Sequence, residues 1–324
     1  MSDPLIDRAV SIFRAGGVVA FPTETVYGLG ADAANADAVR RIFVVKGRPA
    51  DHPVIVHLAN ANAVAEWARE IPAAARALAD AFWPGPLTLI VPRAAHVHGI
   101  VTEGQDSVGL RVPSHPVARA LLAAFGGGIA APSANRFGHV SPTTAAHVAA
   151  DLLDKPALIL DGGACDVGIE STIVAFRGDV PLLLRPGAIA LADLARVLGR
   201  VPLVAERDAP RASGTLASHY APRTPASLLP PDVLRAELAQ LVERDEAVAV
   251  LARTLTPPED FDGAWIAAAR DPAGYARDLY AHLRALDAAD ADALLIEDVP
   301  QEPAWLAVRD RLTRATHGED DDRD

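Results

Sequence analysis

The chain has 324 residues, of which 50% are hydrophobic, with a single cysteine and a formal net charge of -12. This length favours two domains, the single cysteine excludes an internal disulfide and suits a reducing cytoplasm, and the acidic balance argues against broad nonspecific binding to phosphate backbones. No run of about 18 uninterrupted apolar residues occurs and the N-terminus has no apolar signal core, so a membrane span and secretion are both disfavoured.

The first part of the chain alternates short β-branched runs with alanine-rich helical stretches. The predicted strands are Val18–Phe21, Ile55–His57, Leu87–Val91, Gly109–Val112, Ile129–Ala131, Leu158–Asp161, Ser171–Ala175 and Leu182–Arg185. The predicted helices are Pro4–Ala15, Asp37–Val45, Asn62–Glu66, Pro72–Phe82, Pro116–Phe125, Thr143–Leu152 and Leu191–Leu198. Because some strands follow one another without a helix, the pattern predicts a mixed α/β sheet with flanking helices.

The periodicity stops in "AERDAPRASGTLASHYAPRTP", where proline, glycine, serine and threonine are typical of a linker. A second βα rhythm follows, with strands predicted at Ala247–Ala252 and Ala293–Glu297 and helices at Pro272–Asp287 and Ala304–Ala315. We therefore predict a large mixed α/β domain at 1–204, which would carry the catalytic site, and a linker at 205–224. A small Rossmann-like α/β domain should follow at 225–316, and a disordered acidic tail at 317–324.

Neither of the common nucleotide signatures, GxxxxGK[ST] and GxGxxG, occurs in the chain. Any phosphate must then be bound by side chains and turn amides. In "KGRP", Lys46 and Arg48 follow a helix, and a point cation beside a planar fork suits a polyphosphate. The alternative is that both residues only cap the helix C-terminus.

Polar residues recur where apolar strands end. "APSANRFGHVSPTT" offers hydroxyls, an amide and a helix start, which fit either an anion site or ordinary turn chemistry. Arg111 lies within an apolar strand and Arg185 ends another, while "GIESTIV" and "FPTETVYGLGADA" place hydroxyls and carboxylates beside buried runs. Five such clusters on one sheet would form an anion-binding concavity. Cys165, His96 and His98 lack partners at telling spacing and receive no role.

Seven ordered blocks together resemble one known family. They are "GGVVAFPTETVYGLGADA", "KGRP", "WPGPLTLIV", "GLRVPSHP", "APSANRFG", "DGGACDVGIESTIV" and "LRPGAI". The chain is similar to the YrdC/Sua5 family, the L-threonylcarbamoyladenylate synthases, from Leu5 to Ala190 and again through the linker stretch "ASGTLASHYAP". The resemblance implies a YrdC-like mixed twisted sheet followed by the C-terminal domain of the Sua5 type.

The resemblance also implies a reaction. Family members are nucleotidyltransferases that condense L-threonine, bicarbonate and ATP, with Mg²⁺ on the ATP phosphates, into threonylcarbamoyl-AMP and pyrophosphate. The product serves threonylcarbamoyladenosine formation at adenosine 37 of tRNA, completed by downstream tRNA threonylcarbamoyl transferase proteins. Direct RNA contact is a further option, and no membrane partner is expected.

Site residues follow from the same resemblance. It implies catalytic roles for Lys46, Arg48, Ser133 and Asn135. It implies ATP contacts for Arg48, His52, Ser107, Ser133, Ser141 and Arg185, with His219 and Tyr220 of the linker lying over the nucleotide. It implies an L-threonine pocket of Thr25, His57, Arg111, Ser171 and the backbone of Ala131, and no metal ligand from the protein. Glu24 could orient a neighbouring group or help to hold the metal, and the sequence assigns it neither role.

One departure concerns the linker, where the family's serine/threonine-Pro-Gly opening is Ala212-Ser213-Gly214. Without the proline the segment should be less pre-ordered. Two other functions compete with the synthase. One is a double-stranded RNA-binding module of the YrdC type without synthase activity. The other is a carbamoyl-transfer module of hydrogenase maturation proteins, whose cysteine pairs and acylphosphatase segment this chain lacks.

Overall fold

The structure, a computed structural model, describes residues 3–49, 52–204, 209–216 and 218–317. Within these residues the chain forms two compact units. The first comprises the chain up to Phe137 together with Pro142–Thr215, and the second comprises Gly138–Ser141 and the chain from Leu216 onward. Part of the predicted linker and, after His317, the predicted acidic tail lie outside the described residues. No helix in the described ranges is long and apolar enough to cross a membrane.

The first unit alternates strands and helices much as the hydrophobic pattern predicts. Its strands are β1 Val19–Phe21, β2 Gly28–Asp32, β3 Ile55–His57, β4 Leu87–Pro92, β5 Ser107–Arg111, β6 Ile129–Ala130, β7 Leu158–Ile159, β8 Thr172–Arg177, β9 Val180–Arg185 and β10 Leu203–Val204. Its helices are α1 Pro4–Arg14, α2 Ala36–Lys46, α3 Val64–Trp67, α4 Ala73–Phe82, α5 Gly99–Thr102, α6 Pro116–Phe125, α7 Ala145–Leu152 and α8 Leu191–Leu198. A 3-10 turn at Ala61–Ala63 precedes α3.

These strands form one sheet, which in the described part of the chain has ten strands in the order β10-β9-β8-β4-β5-β3-β6-β2-β1-β7. Parallel pairs such as β3–β5 and β4–β8 alternate with antiparallel pairs such as β4–β5 and β3–β6. The predicted mixed α/β sheet is therefore confirmed. On one side α1 packs Phe13 and Val10 against α6 and the buried side chains of Phe21 and Ile129.

Strand β2 was not predicted, because "GLGAD" has the glycines that strands usually avoid. The structure explains them by close packing. A Cβ atom on Gly30 would lie 2.7 Å from the Phe21 ring and 2.8 Å from Ile129, so only glycine fits between these side chains. The helix start predicted at Thr143 is also shifted, since Thr144 caps α7 by accepting from the His147 N–H at 3.2 Å.

The second unit is built on a four-stranded parallel sheet within the described residues. Its strands are β11 Ala226–Leu229, β12 Val248–Ala252, β13 Ala264–Ala267 and β14 Ala293–Glu297, in the order β11-β14-β12-β13. Its helices are α9 Pro231–Glu243, α10 Pro272–Asp287 and α11 Leu306–Ala315, the last preceded by a 3-10 turn at Pro303–Trp305. The predicted small Rossmann-like α/β fold is confirmed, although β11 and α9, which follow the proline-rich linker, and β13 were not predicted.

Candidate active site

The cations that the sequence singles out are buried. Lys46, Arg48, Arg111 and Arg185 are only 3–7% exposed, so none of them projects from an outer face of the first unit. Burying a charge is costly unless it is paired or hydrogen-bonded. Each of these cations should therefore have ion-pair or hydrogen-bond partners nearby. The partners and cations form three clusters.

The first, here called the Arg111 cluster, consists of Glu24, Thr25, His57 and Arg111. Arg111 ends β5, and its Nη2 atom lies 2.7 Å from Glu24 Oε1, with both side chains 5% exposed. Its Nη1 atom donates to the Thr25 hydroxyl at 2.9 Å. Glu24 also accepts from the backbone N–H of Ser114 at 3.1 Å. The segment that follows β1 thus packs its Glu24 and Thr25 side chains against the Arg111 guanidinium at the end of β5.

Strand register joins this cluster to its neighbours. His57 of β3 pairs directly with Arg111 of β5, and continuing the β4–β5 register by one residue places Thr88 opposite Arg111. Because opposite residues of neighbouring strands share a face of the sheet, these three polar side chains project to the same side. The polar side chains therefore form a row across three adjacent strands.

Electrostatics make this cluster close to neutral. Burial by itself would raise the pKa of Glu24, but the charge and hydrogen bond of Arg111 and the Ser114 N–H hold it below its usual value. Burial, with the Arg111 charge, lowers the pKa of His57 to about 3, so this imidazole is uncharged at neutral pH. The cluster then contains one cation, one anion and neutral donors and acceptors.

The second cluster, the Lys46 cluster, consists of Lys46, Ser133 and Asn135. Lys46 is the last residue of α2, which Gly47 ends in a left-handed conformation (φ 62°). The Lys46 ammonium donates to the Ser133 carbonyl at 2.5 Å, to the Asn135 carbonyl at 2.6 Å and to Asn135 Oδ1 at 3.2 Å. Burial and the nearby Arg48 charge lower the pKa of Lys46 well below its usual value. The lysine therefore holds the Ser133–Asn135 turn in place.

Arg48 and His52 lie beside this turn. The Arg48 guanidinium is 5.9 Å from the ring centroids of both Phe43 and Phe137, and its Nη2 atom donates to the Pro53 carbonyl at 3.1 Å. The His52 ring meets Phe137 edge-on at 5.3 Å. Aromatic faces and a planar cation in this arrangement suit a flat ligand group with nearby negative charge.

The third cluster, the Arg185 cluster, consists of Thr88, Ser171, Arg185 and Ser213. Arg185 at the end of β9 donates from Nε and Nη2 to the Ser171 carbonyl, at 3.1 and 2.9 Å, and from Nη2 to the Ser171 hydroxyl at 3.2 Å. Its Nη1 atom donates to the Ser213 carbonyl at 2.7 Å. The Ser171 and Thr88 hydroxyls are 2.8 Å apart. Arg185 thus joins the linker start to the polar row through Ser171 and Thr88.

Comparison with known proteins decides the family. The model of the Sua5/YciO/YrdC family, described as "telomere recombination", matches residues 11–187, and the model of the threonylcarbamoyl-AMP synthase C-terminal domain matches residues 189–317. The chain belongs to the Sua5/YciO/YrdC family. The family assignment made from the seven blocks is confirmed.

Relatives of this Sua5-type chain match it over nearly its whole length. A Pyrococcus abyssi protein named threonylcarbamoyl-AMP synthase is 39% identical over 320 residues, covering 95% of this chain and 93% of that protein. A Bacillus subtilis protein of the same name is 38% identical, covering 98% and 94%. Among solved structures, P. abyssi Sua5 complexed with L-threonine superposes with a TM-score of 0.89 at 39% identity, covering 96% of this chain and 94% of that one.

Some residues assigned by the Sua5 resemblance lie apart from the three clusters or in the other unit. Ser107 begins β5, four residues and about 13 Å of strand from Arg111. The Ala131 N–H already donates to the Ile55 carbonyl at 2.9 Å, which leaves its carbonyl for a ligand.

Ser141, His219 and Tyr220 belong to the second unit. The Ser141 carbonyl accepts from Arg284 Nε at 3.4 Å, and the buried Tyr220 ring lies 5.6 Å from Tyr280 and 5.3 Å from the Arg311 guanidinium. The His219 ring meets Tyr220 edge-on at 4.1 Å. The assignment of these residues to the nucleotide stays a prediction.

The linker start lacks the family's usual proline, and it is nevertheless bound to the first unit. Ala212 is 6% exposed and packs in an apolar cluster with Ile55, Ile90 and Ile173. The neighbouring Arg211 pairs with Glu103 at 2.6 Å, and its N–H donates to the Gln105 side chain at 2.8 Å. Tertiary contacts therefore order the linker start, which a proline would otherwise order by restricting the local backbone.

Two contributors to the site were not identified from the sequence. Glu24 received no role, although its place between two threonines in an apolar context was a usable signal. Thr88 stands within the apolar strand "LTLIV", and a hydroxyl at that position is the signal that could have revealed its contact with Ser171.

Proposed function

We infer that this chain is a threonylcarbamoyl-AMP synthase, which converts L-threonine, bicarbonate and ATP into threonylcarbamoyl-AMP, pyrophosphate and water. The observation that carries the inference is the alignment of relatives with this name over at least 95% of the chain. The same alignment favours an enzyme over the RNA-binding module considered from the sequence. The three buried clusters supply chemistry that this reaction needs.

The Arg111 cluster is proposed as the L-threonine pocket. A guanidinium can bind a carboxylate at two points. The hydroxyl of Thr25, together with that of Ser171 from the neighbouring Arg185 cluster, can bond the polar groups of a small hydroxy amino acid. P. abyssi Sua5, the similar structure described above, was solved in complex with L-threonine, which supports this substrate. The neutral His57 imidazole offers a further hydrogen-bonding group without adding charge.

The Lys46 and Arg185 clusters, with Arg48 and His52, are proposed to bind ATP. In the reaction, a threonine carbamate oxygen attacks the α-phosphorus and the bond to pyrophosphate breaks, so negative charge develops on the phosphate oxygens. Reactions of this type depend mainly on positioning and electrostatic stabilisation. Arg48 and Arg185 would supply positive charge, and Lys46 would hold the Ser133–Asn135 turn against the phosphates.

Mg²⁺ is proposed to enter with the ATP phosphates. In the part of the chain that the structure describes, no group of three or more His, Cys, Asp or Glu side chains could hold a metal ion by itself. The cations of the clusters suit phosphate oxygens instead, and nucleotide-bound Mg²⁺ commonly keeps several waters and few protein ligands. When bound, it would neutralise phosphate charge. Excess EDTA should then abolish turnover, and added Mg²⁺ should restore it.

The product is proposed to serve threonylcarbamoyladenosine formation in tRNA, through downstream transferase proteins, in the cytoplasm. The support is the name of the relatives and the single cysteine, which suits a reducing compartment.

The test of the synthase function is a pyrophosphate-release assay with purified protein, ATP and Mg²⁺. Release should require both L-threonine and bicarbonate, and mass spectrometry should detect threonylcarbamoyl-AMP. Release that continues when either substrate is omitted would contradict the function, as would tight binding of duplex RNA without turnover.

A further inference from the structure

Glu24 is held in an unusual position for a carboxylate. It lies directly opposite the Arg111 guanidinium at 2.7 Å, with both side chains 5% exposed. The backbone fixes it as well, because the Ser114 N–H donates to its carboxylate at 3.1 Å and its own carbonyl accepts from Val167 at 2.8 Å. Glu24 is therefore a fixed part of the pocket wall.

The Arg111 cluster leaves several polar atoms incompletely satisfied. Arg111 Nε and His57 Nδ1 are buried and have no hydrogen-bond partner among the described residues, while Glu24 Oε1 and Arg111 Nη2 have only each other, at 2.7 Å. Buried polar atoms are nearly always hydrogen-bonded in proteins, because an unmade bond costs free energy. A guanidinium N–H and an imidazole nitrogen without partners, beside an ion pair whose two facing atoms have no other partner, indicate that a polar ligand binds in this small cluster.

The net charge of the Arg111 cluster limits the charge that a ligand can carry. Arg111 and Glu24 cancel each other, and His57 is neutral at pH 7. A ligand that brought only a carboxylate would satisfy Arg111 and leave the buried Glu24 charge uncompensated. A zwitterion would satisfy both, with its carboxylate on Arg111 and its ammonium on Glu24.

We propose that Glu24 binds the α-amino group of the amino-acid substrate and thereby makes the Arg111 cluster selective for a zwitterion. The proposal rests on the proposed function, and it deepens it by assigning the amino end of the substrate to a residue of this chain. Two threonine charges then meet two protein charges of opposite sign in a buried cluster, which fixes the orientation of the amine that is carboxylated in the reaction.

The experiment compares two ligands and two variants by calorimetry and steady-state kinetics. The ligands are L-threonine and the 2,3-dihydroxybutanoate of matching stereochemistry, in which a hydroxyl replaces the amine. The variants are Glu24→Gln, which keeps an acceptor for the Ser114 N–H, and the control Glu103→Gln. Glu103 is also a buried, arginine-paired carboxylate of the first unit, 2.6 Å from Arg211 and 7% exposed.

Loss of the Glu24 charge should weaken L-threonine binding and raise its KM about 10- to 100-fold, as expected for a charged hydrogen bond. Binding of the dihydroxy analogue should not weaken, because Glu24→Gln removes a charge that this ligand leaves without a cation, and the KM for ATP should change less than about 3-fold. Glu103→Gln should leave all three values unchanged. Equal losses for both ligands would show that Glu24 only positions Arg111, and unchanged threonine affinity would show that Glu24 does not contact the amine. Either result overturns the proposal.

A second measurement uses the unaltered protein, so it does not depend on whether a variant folds. It should bind L-threonine at least about 10-fold more tightly than the dihydroxy analogue, because a hydroxyl leaves the Glu24 charge without a cation. Equal affinity for the two ligands would overturn the proposal even if Glu24→Gln cannot be purified. Threonine binding without bicarbonate-dependent pyrophosphate release would instead contradict the synthase function while leaving the Glu24 assignment intact.

Discussion

Both units bury a glutamate, and the two carboxylates have different surroundings. Glu297 at the end of β14 is fully buried and accepts from the backbone N–H groups of Arg253, Thr254 and Leu255 at 2.7, 2.8 and 3.1 Å, and from the Thr254 hydroxyl. Burial alone would raise its pKa, but these hydrogen bonds hold it below the usual value. Glu24 instead faces a guanidinium whose own bonds are incomplete.

The difference separates a charge used for folding from a charge available to a ligand. At Glu297 the donors come from the chain itself, so the carboxylate joins β14 to the turn after β12. Glu24 instead pairs with Arg111, whose Nε has no partner among the described residues, and buried groups of this kind are typical of binding sites. The strands differ in the same way: β12 is buried and apolar throughout, "VAVLA", whereas β5 ends in a buried arginine. We therefore expect substitutions of buried charges to affect substrate use in the first unit and stability in the second.

The largest expected effect is at Lys46, whose three donors all bond oxygens of the Ser133–Asn135 turn. Lys46→Met removes three charged hydrogen bonds and leaves their buried acceptors unpaired, which should cost the site about 4–5 kcal/mol of free energy, and turnover should fall at least about 1,000-fold. The measurement is pyrophosphate release at saturating substrates, with amide hydrogen exchange of residues 133–135. Lys155→Met, at the exposed second lysine of the chain, is the control and should stay within about 2-fold. Normal turnover by Lys46→Met would show that this cluster is not needed.

The next effect concerns Arg111. Arg111→Ala should lower kcat/KM for L-threonine about 100- to 1,000-fold, because the two-point bond to a carboxylate is lost and Glu24 is left unpaired. Calorimetric affinity for ATP should stay within about 3-fold, since no phosphate is assigned to Arg111. The exposed Arg119→Ala on α6 serves as the control. Equal losses of threonine and ATP binding would count against the division of the site into separate clusters.

In the second unit the comparison predicts a change of stability alone. Glu297→Gln should lower the free energy of unfolding of that unit by about 1–3 kcal/mol, because an amide oxygen accepts the three N–H bonds less strongly than a carboxylate does. Thermal unfolding and hydrogen exchange of β12 and β14 report this loss, and Glu302→Gln on the surface is the control. A raised KM for L-threonine in Glu297→Gln would break the proposed contrast between the units.

The smallest effect is a pH dependence at His57. Burial lowers its pKa to about 3, from an ordinary value of 6.5, so the unfolded chain takes up a proton that the folded chain does not. Stability should then fall as pH drops below about 6.5, by about 1 kcal/mol between pH 6.5 and pH 5.5. Hydrogen exchange of β3 and β5 measures this slope, which His57→Asn should remove. His282 of the second unit also has a lowered pKa, so His282→Asn is the matched control variant. An unchanged slope in His57→Asn would show that His57 titrates normally.

Much of this organisation could be predicted from local patterns. β-branched runs and helical periodicity located most strands and helices within a few residues, and Pro116–Phe125, Leu191–Leu198 and Pro272–Asp287 agree at both ends. The ordered motifs were specific enough to identify the family, and they located the buried cations. Glycine-rich β2 and the proline-flanked β11 and α9 were missed, because their composition is typical of turns and only packing against neighbours makes them regular.

The sequence by itself determined the elements, the family and which residue types could meet a polyphosphate and an amino acid, because these depend on neighbours within a few positions. Only the tertiary structure decided which polar groups meet. Lys46 and Asn135 are 89 residues apart and Arg111 and Thr25 are 86 apart, yet the packing of α2 and the order of the strands bring each pair within hydrogen-bonding distance. The opposition of Glu24 and Arg111 has the same origin, since no local pattern encodes which strand ends become neighbours.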